Sequence, residues 1–202
     1  MANAVSLSRL ALLLPVVWLM YQPPGPWQFA SFFLVILIFV SDAVDGYVAR
    51  KRRTATRFGA LFDIAADRIV ELTLFVVAAD VDLVPIWVPL VFIIRGVAVD
   101  TIRTSESKSR GVAPFETMQT AVGKFLVAGP FMRTFYAVIK ACAFCGLVLL
   151  QPFPVELPAL WDRIGAFLTG LTHFLVYLAV ALCILRGLPV LTEFAGRRRE
   201  AA

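Results

Sequence analysis

Four aspartates set between long apolar runs constrain this chain more than anything else in it. Asp42, Asp45, Asp63 and Asp67 are flanked by residues 28 to 41 (QFASFFLVILIFVS) and residues 69 to 79 (IVELTLFVVAA). Runs of that kind read as membrane-spanning helices. Asp42 and Asp45 stand three apart and Asp63 and Asp67 four apart, so on helices each pair occupies one face, one turn above the other. Carboxylates at the edge of a hydrocarbon layer are costly unless a cation or a water-filled cavity compensates them. A divalent ion is the simplest compensation. An all-oxygen donor set with no His or Cys nearby selects a hard ion, Mg2+ or Mn2+, as one ion or two.

Composition carries the same reading to the whole chain. Of 202 residues, 60% are hydrophobic and 16% charged, and the mean hydropathy is +0.83. That places residues 1–202 in one all-α, polytopic membrane domain. The net charge of +5 belongs to basic loops facing anionic lipid and excludes nucleic acid as a partner. Cys142 and Cys145 have C-x-x-C spacing, but no second Cys or His pair accompanies them, so with Cys183 they read as helix-packing residues. His173, the sole histidine, also reads as packing.

Taken in order, the chain predicts six spans. The first starts near Val5 and reaches Tyr21, retained as a helix because no small-residue cleavage site follows it. Gln22 to Pro26 form an uncharged turn. The second helix covers Trp27 to Ala49. Arg50 to Arg57 carries five cations and marks a cytoplasmic loop. The third helix spans Phe58 to Ala79 and the fourth Pro85 to Arg103, with a cytoplasmic loop from Thr104 to Met118. A fifth segment from Gln119 to Leu150 exceeds one span, so it tilts, kinks at Pro130 or begins as an interfacial helix. Residues 151 to 159 form a proline-rich outer loop. The sixth helix covers Trp161 to Leu188, before a basic tail at Arg197, Arg198 and Arg199. Both termini are then cytoplasmic, and all four acids lie at the cytoplasmic ends of adjacent helices.

The acidic stretch reads D-x-x-D-G-x-x-A-R, eight residues, then G-x-x-x-D-x-x-x-D, with Asp42, Asp45, Gly46, Ala49, Arg50, Gly59, Asp63 and Asp67 at the fixed positions. This resembles the signature of the CDP-alcohol phosphatidyltransferases, with every fixed position and the gap intact. The resemblance implies transfer of a phosphatidyl group from a CDP-alcohol lipid to a hydroxyl, releasing CMP. It implies that Asp42, Asp45, Asp63 and Asp67 hold the metal, with Asp67 the general base. It further implies that Asp42, Gly46, Ala49, Arg50 and Gly59 receive the CDP moiety; close helix packing accounts for Gly59 equally well.

Asn3, Ser6, Arg9 and Pro15 resemble the N-terminal segment of the phosphatidylglycerophosphate synthase branch, with Ser in place of the usual Thr and the proline displaced by one. An alternative for Arg9 is anchorage of the first helix at the headgroups. Arg95, Arg103 and Lys124 resemble the acceptor region of the same branch, and with Arg133 they form the expected acceptor-phosphate set. Gly96 and Arg68 depart from that branch's usual Glu and Lys. The resemblance thus implies CDP-diacylglycerol and glycerol 3-phosphate as substrates, a homodimer, and a bacterial inner membrane enzyme working at the cytoplasmic face. Inositol phosphate is the alternative acceptor. A small cation transporter is the alternative class, but transporters favour midplane acids and repeated helices. Here the acids gather at one face and no repeat is visible.

Overall fold

A computed structural model describes the backbone of residues 2–52, 57–110, 125–126 and 129–200. The side chains of residues 2–5, 43, 45–52, 57–61, 103–110, 130 and 197–200 lie outside that description. The described residues form seven α-helices: α1 (Ala2–Met20), α2 (Phe29–Arg52), α3 (Arg57–Asp80), α4 (Trp87–Arg110), α5 (Pro130–Leu149), the single turn α6 (Phe153–Glu156) and α7 (Pro158–Glu200). Among them, α5 from Phe131 to Leu149 and α7 from Pro158 to Gly196 are long and apolar enough to cross a membrane, while Ser6–Met20 and Pro26–Asp42 are shorter apolar helices.

The chain divides into two compact units, residues 1–86 with 141–173 and residues 87–140 with 174–202. The first unit contains α1, α2 and α3, with α1 packed against both others. Its core is apolar and aromatic. Val16, Val35, Leu74 and Phe75 are buried, and the Phe75 and Phe144 rings lie 4.4 Å apart. Phe39 stacks on Phe144 at 5.9 Å. Gly146 sits where α5 meets the α7 segment of this unit. A Cβ there would lie 2.4 Å from Thr172 Oγ1, so only glycine permits the approach.

Turn chemistry closes the end of the first unit away from the aspartates. Gly25 is extended, and Pro26 opens a 3₁₀ turn over Pro26–Gln28. The buried Gln28 amide then donates to the carbonyls of Leu19 and Gln22 at 3.2 and 2.9 Å. After α3, Asp82 adopts φ 58°. This left-handed residue lets the Leu83 N–H reach Ala78 O at 2.8 Å and the Asp82 N–H reach Ala79 O at 3.2 Å, the paired bonds of a Schellman stop. Tyr21 Oη donates to Asp80 Oδ2 at 2.7 Å, tying α1 to the end of α3.

In the second unit, Val99 and Val190 form a buried cluster with Ile102 and Leu126 against it. Trp87 stacks on Tyr177 at 5.8 Å.

Several boundaries differ from the sequence expectation. α1 begins at Ala2 rather than near Val5, and α2 runs to Arg52, into the expected basic loop. α4 continues to Arg110, seven residues past Arg103, because Thr104 to Arg110 contains no Gly or Pro to stop it. Pro130 begins α5 rather than kinking a longer helix, the position where its missing N–H costs nothing. The expected outer loop 151–159 contains α6 and the start of α7. α7 passes Leu188 and Pro189 and takes in the basic tail as far as Glu200. Residues 111–124, which include most of the expected cytoplasmic loop, lie outside the described residues.

Candidate active site at the carboxylate pair

The three helices of the first unit meet at polar side chains: Ser6 and Arg9 on α1, Asp42 on α2 and Asp63 on α3. Asp63 is 17 residues from the end of α3 at Asp80, about 26 Å along the axis at ~1.5 Å per residue. Asp42 lies 13 residues after the start of α2 at Phe29 and 10 before its end at Arg52, so it stands near the middle of that helix rather than at the helix end the sequence predicted, because α2 continues past Ala49.

One side chain joins the acids. Arg9, on α1, is 2% exposed and forms ion pairs with Asp42 through Nη1 and with Asp63 through Nη2. Ser6, one turn before Arg9, donates from Oγ to Asp63 Oδ1 at 3.1 Å and accepts from Arg9 Nη2 at 3.4 Å. The side chains of Asp42 and Asp63 remain 41% and 51% exposed, so the site is a buried cation beneath two carboxylates that still meet solvent. One guanidinium against two carboxylates leaves the trio one negative charge in excess. Arg9 Nε is buried and has no acceptor among the described residues.

This geometry fits a hard cation. Carboxylates from two helices converge on one cationic position, and every converging donor is an oxygen. Asp67 lies one turn after Asp63 on α3, and its side chain is exposed. Asp45, Gly46, Ala49 and Arg50 lie in helical backbone one to two turns beyond Asp42, and Gly59 one turn before Asp63. Their side chains are outside the description. No group of three or more metal-ligating side chains forms among the described residues.

The expected acceptor cations belong to the second unit or fall outside the description. Arg95, on α4, donates from Nε to Cys183 O on α7 at 3.1 Å, and a Cβ at Gly187 would lie 3.1 Å from Arg95 Cγ. Arg133 is exposed on α5. The side chain of Arg103 lies outside the description, and Lys124 lies outside the described residues. Two cations the sequence analysis did not select are buried in this unit. Lys140 Nζ stands 4.7 Å and the Arg186 guanidinium 5.0 Å from the Tyr136 ring centroid, and Arg186 also donates to Met132 O at 3.3 Å. His173 bridges α7 to the α3–α4 turn, with Nε2 3.2 Å from Leu83 O, so it both packs and bonds. Sequence reasoning singled out Arg9 with Asn3 and Ser6, weighing headgroup anchorage for it, but did not join it to the aspartates. The Asn3-x-x-Ser6-x-x-Arg9 spacing was the signal for it, since it stacks Ser6 and Arg9 on one helix face.

Known proteins place this geometry in a family. A profile described as CDP-alcohol phosphatidyltransferase matches residues 1–185. A CDP-diacylglycerol–glycerol-3-phosphate 3-phosphatidyltransferase of Bacillus subtilis (strain 168) is 31% identical over 114 residues, covering 50% of this chain and 58% of that protein. A cardiolipin synthase (CMP-forming) of Streptomyces coelicolor is 34% identical over 96 residues, covering 46% of this chain and 45% of that protein. An Escherichia coli (strain K12) CDP-diacylglycerol–glycerol-3-phosphate 3-phosphatidyltransferase is 36% identical over 59 residues, covering 29% of this chain and 32% of that protein. The chain thus spans about half or less of the length of the relatives it matches. With the family profile extending over nearly all of it, this chain belongs to the CDP-alcohol phosphatidyltransferase family.

Proposed function

We propose that this protein transfers the phosphatidyl group of CDP-diacylglycerol to glycerol 3-phosphate and releases CMP, with a divalent cation, Mg2+ or Mn2+, bound at its carboxylates. The observation that carries the reading is the convergence of Asp42 from α2 and Asp63 from α3 on one cationic position. Asp42, Asp45 and Asp63 would hold the ion, with Asp67 beside them. When bound, such an ion offsets charge on the diphosphate and on the departing CMP. Asp67 takes the proton of the acceptor hydroxyl as the new P–O bond forms; an exposed carboxylate can do this because it accepts the proton only in the transition state. Gly46, Ala49 and Gly59 keep the facing helix surfaces small enough for the nucleotide, and Arg50 pairs with its phosphate oxygens.

Arg95, Arg103, Lys124 and Arg133 are proposed to receive the acceptor phosphate. Support for glycerol 3-phosphate comes from the B. subtilis and E. coli relatives named for it. A second reading, formation of cardiolipin with a phospholipid hydroxyl as acceptor, is favoured by the S. coelicolor relative. Release of CMP from CDP-diacylglycerol by the purified protein in detergent distinguishes them. Glycerol 3-phosphate, phosphatidylglycerol and inositol phosphate are supplied separately with Mg2+. The proposal expects release with glycerol 3-phosphate; release with phosphatidylglycerol alone selects the second reading, and release with inositol phosphate alone rejects both.

The protein is further proposed to span the bacterial inner membrane six times with both termini cytoplasmic, and to act at the cytoplasmic face as a homodimer. The apolar helices and the cation-rich segments at residues 50–57 and 197–199 support the orientation. A site at the cytoplasmic face would be open to a lipid donor from one side and a water-soluble acceptor from the other.

A further inference from the structure

We infer that Arg9 is the resident counter-ion of the carboxylate pair and yields Asp42 and Asp63 to the divalent cation, so that α1 sets the affinity of the metal site. The inference rests on the metal reading proposed above. Its starting point is that Arg9 and the ion require the same atoms: the guanidinium binds Oδ1 of Asp42 and Oδ1 of Asp63, on two different helices. Two cations drawn to the same oxygens oppose each other, and the effect is strong where water is scarce. Arg9 is 2% exposed, so its charge is poorly screened.

A purely structural role fits Arg9 poorly. Burying an arginine on an apolar helix is expensive, and apolar residues of similar volume hold helices together as well or better. A structural arginine would also use its full set of donors, whereas Arg9 Nε is buried with no acceptor among the described residues. The side chain is held at both Nη atoms and left incomplete at Nε. Such a guanidinium holds two like-charged carboxylates together before the ion arrives, and can release them without leaving a completed network. Ser6 Oγ, 3.4 Å from Arg9 Nη2, remains a partner after release. The released N–H groups are then open to anionic oxygens, which a diphosphate donor brings. Arg9 is thus a positioning residue that acts through Asp42 and Asp63.

Mn2+ binding to the full chain in detergent, followed by the loss of the free-ion electron paramagnetic resonance signal, tests this without turnover. Arg9→Gln removes the competing charge and should bind Mn2+ about tenfold more tightly than the wild type, within the usual range of coupling between two ligands of one site. In EDTA the same variant should melt below the wild type, because Asp42 and Asp63 then lose the guanidinium they share. Saturating Mn2+ should narrow that gap. Arg9→Lys, a point charge able to reach one carboxylate at a time, should fall between the two and carries the test if Arg9→Gln does not fold. Unchanged or weaker Mn2+ binding in these variants, with binding lost in Asp63→Asn, would overturn the inference and leave the metal reading intact. If the wild type takes up no Mn2+, or Asp42→Asn and Asp63→Asn both bind it like the wild type, the metal reading falls and this inference with it.

Discussion

Asp42, Asp63 and Asp67 differ in surroundings, and their substitutions should fail differently. Asp42 and Asp63 share Arg9, so Asn at either removes an anionic oxygen from the proposed ion site and raises the metal concentration needed for CMP release. Asp67 is exposed and one turn away. Asp67→Asn should lower kcat by about 10²- to 10⁴-fold, the usual worth of a general base, with little change in KM for CDP-diacylglycerol. Steady-state kinetics across a Mg2+ series would separate the two patterns; an Asp67→Asn enzyme with wild-type kcat would remove the base assignment. The aspartates were legible in the sequence because their spacing is local, three and four residues within one helix. The pairing of Arg9 with them was not, because its partner Asp63 is 54 residues away. An arginine near the start of an apolar helix fits a headgroup anchor equally well until packing brings α1 onto α2 and α3.

At the level of helices, the closest contact with a clear energetic consequence is Gly146 against Thr172. Gly146→Ala would set a methyl 2.4 Å from Thr172 Oγ1, an overpacking that typically costs about 1–3 kcal/mol. Combining it with Thr172→Ala should recover part of that loss, because the residual approach, to Thr172 Cβ, is 3.1 Å. Thermal melts of the two single variants and the double variant would show the coupling; strictly additive losses would mean that the helices separate there instead. The Tyr21–Asp80 bond has a pH signature. The hydrogen bond to the Asp80 carboxylate, helped by burial and by its charge, raises the Tyr21 pKa above 10.0. A raised acid pKa means the bond supports the fold below about pH 10 and is lost as pH rises through the higher value. Tyr21→Phe should therefore lower the melting temperature at neutral pH, where the bond is intact, and lose the alkaline fall that the wild type shows as Tyr21 ionises. Hydropathy located the long helices among the described residues but misplaced their ends. Nothing in Thr104 to Arg110 breaks a helix, so polar composition there was mistaken for a loop, and Pro189 does not end α7.

For the whole molecule, α7 is the most informative element. Its 43 residues extend about 64 Å at ~1.5 Å per residue, about twice the hydrocarbon thickness of a bilayer. The helix is longer than one hydrocarbon layer, and the run Arg197 to Arg199 lies at its far end. If that end is cytoplasmic, a cysteine replacing Glu200 in a chain otherwise free of cysteine should react with an impermeant maleimide only after cells are opened. A cysteine at Glu156, in the short turn α6, should react in intact spheroplasts. The reverse pattern would invert the topology and move the carboxylates to the outer face. The all-helical class was legible because hydrophobic runs and helical spacing are local properties. The contacts of the second unit's cations were not. Arg95 bonds to a backbone carbonyl, and the buried Lys140 and Arg186 around Tyr136 come from α5 and α7, an arrangement only tertiary packing creates.

The Asp42–Asp63 pair is proposed to be the metal-dependent centre of a CDP-alcohol transfer. CMP release from CDP-diacylglycerol and glycerol 3-phosphate, measured with Mg2+, with EDTA, and in the Asp63→Asn variant, tests it most directly. The account predicts release that requires both Mg2+ and glycerol 3-phosphate, stops with EDTA, and is lost in Asp63→Asn at ordinary Mg2+ concentration. Release that persists in EDTA, or proceeds at the wild-type rate in Asp63→Asn, would contradict it.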